Sequence, residues 1–463
     1  MKIVSKVASV FAQTLFLFVL FACSADENKI GTISSEKHEV ANLFSASEVY
    51  TVKVELAEAD WSDLLTNATK EQYYRATLNF NGSIVEDVGF RAKGQSSLRN
   101  VARVLPNGRS YGRFSFKLDF NRYKKQKFMS MKHLMLNSGY GDPSLMRDLV
   151  AYNVMKSVGM PAPELSFVDL WVAGKHMGLY QLVEVIDSEF IEKYFPDDKL
   201  DKGDLYKPGT GSTLYVAEVQ SVNLAEFAKT KPGESFSKLK LKTNEETLET
   251  ERAHAALYAF LKSSNTGSAQ HIDVENMLRY LAASSLLSNL DSYFTQWAQN
   301  FYLYEHRAAG GFTLLPWDYN HALGGFRFEF GCDATEFLLD NPTAVPIEQR
   351  PIIARVLERE DYRERYHLYV RQLTEGIFNP ERMRAFLERY RALIAPYVEK
   401  DPTSFYSFDE WQRSLYEEIP DDQTFMGTPL GLMTFIEQRY QHVRRQLDGE
   451  IASGNGGRNA CAD

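Results

Sequence analysis

Cysteine is scarce in this sequence. Its 463 residues include only three, Cys23, Cys332 and Cys461, and they lie far apart along the chain. A disulfide scaffold and a cysteine-based zinc site both need more thiols, usually in closely spaced pairs. The sequence therefore argues against both classes, and thiols are not expected to carry the chemistry.

A strong excess of charge of one sign is also missing. The chain has 52 Lys+Arg and 61 Asp+Glu, which gives a formal net charge of −9. This balance provides no overall attraction for nucleic acid, and no nucleic-acid partner is predicted. Hydrophobic residues make up 44% of the chain and aromatic residues 13%, which is typical of a folded protein with a large core and not of a disordered one.

Long hydrophobic runs are limited to the N-terminus. A mostly apolar stretch over 7–21 follows two lysines, and it is shorter than the roughly 20 residues that span a bilayer. It predicts a signal peptide over 1–22. The sequence Leu20-Phe21-Ala22-Cys23 resembles a bacterial lipobox, so we predict lipidation of Cys23, a tether over 23–45, and an exported protein anchored to the membrane of the cell envelope. The alternative is an ordinary signal peptide without a lipid.

Period-two alternation of apolar residues dominates the first part of the remaining chain. One segment with helical spacing, Ser144–Gly159, interrupts the strands, and Asn81-Gly82 is a strong hairpin signal. The predicted strands are Tyr50–Leu56, Tyr73–Phe80, Ile84–Phe90, Phe114–Phe120, Phe167–Val172 and Met177–Val185.

Helical spacing dominates from Leu248 onward. Two short strands, Asn300–Tyr304 and Phe312–Leu315, are predicted among helices over Thr250–Ser263, Asp273–Leu290, Ile347–Glu375, Pro380–Tyr397, Ser407–Glu418 and Leu430–Ile451. The pattern predicts an α+β fold with a β-rich lobe, an α-rich lobe and a cleft between them. We divide it into a core over 46–330, a helical region over 331–452 and a flexible, Gly-rich tail over 453–463. Whether Cys332 and Cys461 pair is left open.

A polar stretch after the third predicted strand is a candidate anion-binding loop. It contains Arg91, Lys93, Gln95, Ser96 and Ser97, which offer cations, hydroxyls and backbone N–H groups to a phosphate. A solvated hairpin loop is the alternative, because the stretch matches neither the P-loop nor the dinucleotide fingerprint.

Two further residues on predicted strands are candidates for the same ligand. Lys117 shares a strand face with Ser115 and Asp119, from which it could reach phosphates or simply face solvent. Glu184 ends a strand and could lie at the back of the cleft, or be an ordinary solvated strand end.

An acidic set follows in the second half of the chain. Asp291 closes a predicted helix, Asn300 begins a strand, and Asp318 follows another strand. Two carboxylates and an amide supply the oxygen ligands that Mg²⁺ prefers, with one carboxylate left to orient a hydroxyl nucleophile. Together with the lysine and the loop they form the set of groups used in phosphoryl transfer. The alternative is a helix end and a turn with structural roles only.

These residues belong to a series of short motifs in a characteristic order. The motifs are Val88-Gly89-Phe90-Arg91-Ala92-Lys93-Gly94-Gln95-Ser96-Ser97, Ser115-Phe116-Lys117-Leu118, Leu136-Asn137-Ser138 with Asp142-Pro143-Ser144, Gly178-Leu179-Tyr180 with Glu184, and Asn289-Leu290-Asp291 with Pro316-Trp317-Asp318. The series, from about Val49 to Gly325, resembles the spore coat protein H (CotH) kinase-like family.

The resemblance implies an atypical, two-lobed protein-kinase-like fold that binds ATP and Mg²⁺ and phosphorylates serine or threonine in proteins. By position, Lys117 would contact the nucleotide phosphates and the 91–97 loop would cover them. Asp291 would be the catalytic aspartate with Asn300 nearby, and Asp318 the metal aspartate. Glu184 would lie in the hinge or cleft region.

The sequence departs from the family pattern at two places. Eight residues, 292–299, separate Asp291 from Asn300, and Asn320 stands where many relatives have a second aspartate. Two hypotheses follow. The first is an active phosphotransferase that modifies an unidentified exported or surface protein, and the second is a surface lipoprotein that uses the same fold as a binding or assembly module.

Overall fold

The computed structural model describes residues 43–44, 46–198, 202–215, 238–243, 250–326, 333–420 and 427–455. The predicted signal peptide, the lipidation site Cys23, nearly all of the tether and the other two cysteines lie outside these ranges. Among the residues described, no helix has both the length and the apolar character needed to cross a membrane.

Seven strands form a closed barrel in the first half of the chain. They are β1 (Tyr50–Glu55), β2 (Tyr74–Phe80), β3 (Ser83–Lys93), β4 (Ser115–Asp119), β5 (His133–Asn137), β6 (Leu165–Val172) and β7 (Lys175–Glu184). Their order around the barrel is β1-β2-β3-β4-β5-β7-β6, and closure comes from the parallel pairing of β1 with β6. Alternate side chains such as Phe90 and Phe116 fill the interior, with ring centroids 4.7 Å apart.

The six strands predicted in this half all form, and the hairpin at Asn81-Gly82 joins β2 to β3 as predicted. The sequence motif at Leu136-Asn137 belongs to β5, which was not predicted as a strand. Four helices accompany the barrel: α1 (Glu58–Asn67), α2 (Ser96–Val101), α3 (Arg147–Ser157) and α4 (Ser188–Tyr194). Of these, only α3 was predicted.

A second, four-stranded sheet follows the barrel. It consists of β8 (Leu205–Pro208), β9 (Leu239–Leu241), β10 (Phe301–His306) and β11 (Gly311–Pro316), in the order β11-β10-β8-β9. The two strands predicted here correspond to β10 and β11, which pair antiparallel. The other two strands have only four and three residues, too few to show a period in the sequence.

Seven helices are described in the C-terminal half of the chain: α5 (Thr250–Asn265), α6 (Val274–Leu286), α7 (Pro351–Leu357), α8 (Glu360–Glu375), α9 (Pro380–Glu399), α10 (Phe408–Arg413) and α11 (Leu432–Leu447). The prediction of one helix over Ile347–Glu375 was wrong, because Arg359 takes an extended conformation that separates α7 from α8. The helix predicted to Leu290 ends at Leu286, and Ser288 adopts a positive φ of 44°.

The hydrophobic core has two parts. The barrel interior forms one cluster, and the other contains α3, α6 and the second sheet together with α7 to α11. Leu281 and Leu314, from the predicted core region, and Ile353 and Phe435, from the predicted helical region, belong to this same cluster and are 0% exposed. The α+β class is confirmed, with a β-rich N-terminal part and helices concentrated in the C-terminal half.

Candidate functional site

One large cavity, of about 840 Å³, brings most of the predicted site residues together. Its walls come from the ends of β3 and β5, the beginning of β4, the β8–β9 pair, and the segments that flank β10 and β11. The predicted residues that line it are Arg91, Lys93, Gln95, Ser96, Ser97, Asp291, Asn300 and Asp318. Residues more than 200 positions apart in the sequence therefore share one site.

Asp318 is positioned by helix α3. Its backbone N–H donates to the Tyr152 hydroxyl at 3.2 Å, and the N–H of Tyr319 donates to the Asp148 carboxylate at 2.7 Å. Asp148 and Tyr152 lie one turn apart on α3, so they reach the same segment. Asp318 itself has a positive φ of 59°, an uncommon conformation outside glycine that occurs preferentially at functional sites.

Asp291 is held by two amides from the end of the inserted segment. Gln299 Nε2 donates to Oδ1 at 2.7 Å, and Asn300 Nδ2 donates to Oδ2 and to the backbone oxygen of Asp291, each at 2.9 Å. Thr210 fixes the other end of the Gln299 amide at 2.8 Å. The long spacing between Asp291 and Asn300 therefore does not separate them, because the chain folds back onto itself.

Three carboxylates, those of Asp148, Asp291 and Asp318, line the cavity and affect one another electrostatically. Burial raises the pKa of Asp291 to about 7, and the Asp318 carboxylate adds to this shift while the two amides oppose it. Burial, followed by Asp318, also raises the pKa of Asp148, which is 1% exposed. Asp318 thus repels both neighbours, and a cation at this point would relieve that repulsion.

The oxygen donors present fit a hard cation such as Mg²⁺. No group of three or more Asp, Glu, His or Cys side chains among the residues described is arranged to hold a metal ion. The predicted site would therefore use Asp318 and Asp291, with Asn300 beside them and the remaining ligands supplied by water or by a phosphate, which is the way Mg²⁺ is usually bound.

Lys93 is a cation of the barrel that interacts electrostatically with two of these carboxylates, Asp318 and Asp148. It ends β3, and its Nζ lies 5.8 Å from the ring centroid of Trp317, the residue before Asp318. Burial lowers the pKa of Lys93, and Asp318 and Asp148 oppose part of that shift. A partly desolvated ammonium beside carboxylates that are predicted to bind a metal is suited to a phosphate that bridges the two.

The predicted 91–97 loop is only partly a loop. Strand β3 continues to Lys93, and Ser96 and Ser97 lie in the first turn of the short helix α2. Gly94 between them has a φ of +128°, and a Cβ there would lie 2.7 Å from the Ser97 hydroxyl. The turn therefore requires glycine. Arg91 forms an ion pair with Glu71 at the rim of the cavity.

Lys117 and Glu184 are not among the residues that line the cavity. Lys117 is paired across β3 and β4 with Arg91, and burial lowers its pKa to about 8. The Glu184 carboxylate accepts from Lys193 Nζ at 2.9 Å and from the Glu164 N–H at 3.0 Å. Glu184 ends β7, just before the connection to α4, and does not line this cavity, and its place in a hinge stays a prediction.

Many residues that line the cavity were not predicted from the sequence. Three of them bear on the site described here: Asp148, Lys207 and Gln299. Asp148 lay inside a segment recognised only by its helical spacing, and Lys207 lies on β8, which is too short to be predicted. Gln299 is adjacent to Asn300 and belongs to the 292–299 segment, which the sequence analysis noted only for its length.

Comparison with known proteins identifies the family of the chain. Residues 90–443 match the family described as CotH kinase protein. The chain is also 24% identical, over 353 residues, to the inner spore coat protein H of Bacillus subtilis (strain 168), an alignment that covers 73% of this chain and 84% of the relative. Because the family match extends over more than half of the sequence and includes every cavity residue discussed above except Glu71, the chain belongs to the CotH kinase protein family.

Proposed function

We propose that this protein transfers a phosphoryl group from Mg²⁺–ATP to serine or threonine side chains of exported or cell-surface proteins. The supporting observation is the convergence of Asp291, Asp318 and Lys93 in one cavity, from three separate parts of the chain. In the proposal, the barrel is the N-terminal lobe of a two-lobed kinase-like fold and the helical half is the C-terminal lobe, with the cavity between them.

The cavity residues can perform the steps that this transfer needs. ATP would supply its γ-phosphoryl group, whose bond to the bridging oxygen of the β-phosphate would break so that ADP leaves, and Mg²⁺ would offset the negative charge of the phosphates. Asp318 would hold the metal, and Lys93 would offset charge on the phosphates from the barrel side. Asp291 would accept the proton of the attacking hydroxyl, and its pKa of about 7 is suited to a general base near neutral pH.

The proposed location follows from two observations outside the cavity. The lipobox-like sequence at Cys23 supports a lipid anchor on an exported protein, and the relative is described as a spore coat protein, which is a surface-associated role. The partners would then be the nucleotide, the membrane through the anchor, and an acceptor protein on the same side of the membrane.

Nucleotide binding and transfer can be measured on the purified chain. We expect ATP with Mg²⁺ to raise the melting temperature and labelled phosphate to be transferred to the protein itself or to an added acceptor. Asp291→Asn and Asp318→Asn should abolish transfer. Asp361→Asn is a matched control, since Asp361 lies on the exposed surface of α8 and pairs only with Arg359.

The outcomes separate the two hypotheses. Absence of both the nucleotide-dependent shift and the transfer would refute the proposal. A shift without transfer under all conditions would support the non-catalytic binding module instead. In that case Asp291→Asn should leave the cellular role of the protein intact.

A further inference from the structure

Lys207 faces the cavity from the side opposite the barrel. It lies on β8 of the second sheet, where its neighbour Tyr206 points into the core and is 1% exposed. Because side chains alternate along a strand, Lys207 points to the other face, which lines the cavity. Lys240 on β9 is directly opposite Lys207 in the register and also lines the cavity.

Lys207 and Lys93 meet at one aromatic ring. The Nζ of each lies 5.8 Å from the ring centroid of Trp317, and Lys207 Nζ is 5.6 Å from that of Tyr302 as well. Trp317 immediately precedes Asp318. Lysines from two different sheets are therefore gathered beside the predicted metal aspartate.

Three of the lysines that line the cavity, Lys93, Lys207 and Lys240, have no ion-pair partner among the residues that the structure describes. Within the described ranges, none of Lys93, Lys207 and Lys240 has a carboxylate within the 4.0 Å of an ion pair. The charge of Lys207 contributes to the lowered pKa of both Lys93 and Lys117, so these ammonium groups repel one another. Like charges directly opposite on paired strands, such as Lys207 and Lys240, are also destabilising. A ligand with several negative charges would remove these costs.

We propose that Lys207, supported by Lys240, forms with Lys93 an anion subsite that binds the polyphosphate of the nucleotide from the helical half of the molecule. The identification of the anion rests on the proposed function. A polyphosphate fits better than an acidic peptide, because the lysines lie beside Asp318 and Trp317, where phosphates and a divalent metal would share the same space. The ligand would then connect the barrel to the second sheet.

Calorimetric titration of the full chain tests this subsite. The probes are Mg²⁺–ATP, inorganic tripolyphosphate and adenosine. Lys207→Met should weaken ATP and tripolyphosphate binding by roughly tenfold or more, the scale of a lost charge-assisted hydrogen bond, and should leave adenosine binding unchanged. Lys207→Arg should retain most of the affinity. Lys175→Met is the control, because Lys175 is exposed at the β6–β7 turn and does not line the cavity.

The possible results distinguish this subsite from the proposed function. Wild-type binding of ATP that Lys207→Met leaves unchanged, with the melting temperature preserved, overturns the subsite alone. Binding of tripolyphosphate without any binding of ATP overturns the nucleotide function and keeps the subsite. A Lys207→Met variant that binds ATP normally but has a raised KM for an acidic acceptor peptide assigns the lysine to the acceptor and overturns the inference. Failure of the wild-type chain to bind either probe overturns both.

Discussion

Burial of Asp291 suits the residue to its proposed role as a base but lowers the stability of the folded protein. A carboxylate with a pKa of about 7 is useful as a base, but its charged form is costly in a buried position without a cation. Its pKa in the unfolded chain is near 3.8. The folded state therefore binds an extra proton between these two values, and the contribution of this residue to folding stability is lost as the pH rises through about 7.

The variant Asp291→Asn should consequently be more stable than the wild type at pH 8 in the presence of a chelator. Asparagine keeps the shape and removes the buried charge, and Gln299 can reverse its amide to accept a hydrogen bond. We expect a gain of about 2 kcal/mol at pH 8, which declines to zero or below toward pH 4. Thermal unfolding from pH 4 to 8.5 measures it.

The matched control for that experiment is Asp361→Asn. Its carboxylate is exposed, and the Arg359 guanidinium lowers its pKa, so its loss should not stabilise the protein at pH 8. An Asp291→Asn variant that is less stable than the wild type at pH 8 would show that the hydrogen bonds of the carboxylate outweigh its desolvation. Such a result would also weaken the argument that this position binds a cation.

The choice between two lysines shows the limit of residue-scale prediction. Lys93 and Lys117 were both predicted to bind the nucleotide, and Lys117 was predicted to contact its phosphates. In the register, however, Lys93 is opposite Ser115 at the cavity end of the barrel, whereas Lys117 is opposite Arg91, two residues farther from that end. Lys93 therefore has the better position for the phosphates, and only the pairing register, which follows from tertiary packing, reveals it.

Strand β7 contains Gly178, at which the barrel comes close to Asp401 in the helical half. Gly178 has a φ of +89°, and a Cβ there would lie 2.1 Å from the Asp401 carboxylate. That carboxylate follows α9, pairs with Arg113 at 2.9 Å, and accepts the Leu179 N–H at 2.9 Å. The side chains of the pair are 0% and 1% exposed. The segment before β4, through Arg113, and strand β7, through the Leu179 N–H, thus both hold the residue that follows α9.

Gly178→Ala should displace Asp401 and break this pair. The cost of breaking a buried pair is typically about 3–5 kcal/mol, because one charge is left without its partner. Gly174→Ala is the matched control, since Gly174 has a φ of +73° but nothing within 4 Å of its added Cβ. It should cost only the backbone strain, about 1–2 kcal/mol. Denaturant titration of both variants measures the difference, and equal losses would show that backbone strain, not the ion pair, requires Gly178.

At the scale of elements, length accounts for many of the strands that the sequence predicts, although it does not explain why α1, with 10 residues, and β5, with five, were missed. The barrel strands β2, β3 and β7 have 7 to 11 residues and were predicted, whereas β8 and β9 have 4 and 3 and were not. Closure of the barrel by β1 and β6 was not predictable either, because pairing partners more than 100 residues apart leave no local pattern. The same distinction applies to the site, where Asp291, Asn300 and Asp318 belonged to motifs and Asp148 did not.

At the scale of the whole molecule, helix α11 supports the segment that carries Asp291. Arg439 on α11 is 0% exposed and donates to the backbone oxygens of Ser285 and Leu286, at the end of α6, and of Thr335 and Phe337. Asp291 follows α6 by five residues. The last helix of the described chain is thus bound directly to the backbone that leads into the cavity.

Arg439→Met should therefore destabilise the helical half and also impair the site. Methionine fills much of the volume but removes all four hydrogen bonds. The oxygens of Ser285 and Phe337 keep a donor in Ser288 N–H and Gln446 Nε2, whereas Arg439 is the donor described for those of Leu286 and Thr335. We therefore expect a loss on the order of 3–5 kcal/mol and weaker nucleotide binding at temperatures where the variant is still folded. Arg445→Met on the same helix is the control, since its side chain is 54% exposed and pairs only with Glu450. It should change the free energy of unfolding by less than about 1 kcal/mol.

Chemical denaturation followed by titration with Mg²⁺–ATP measures both effects. If Arg439→Met lowers stability while nucleotide affinity stays at the wild-type value, the barrel alone determines binding and α11 supports the fold without shaping the cavity.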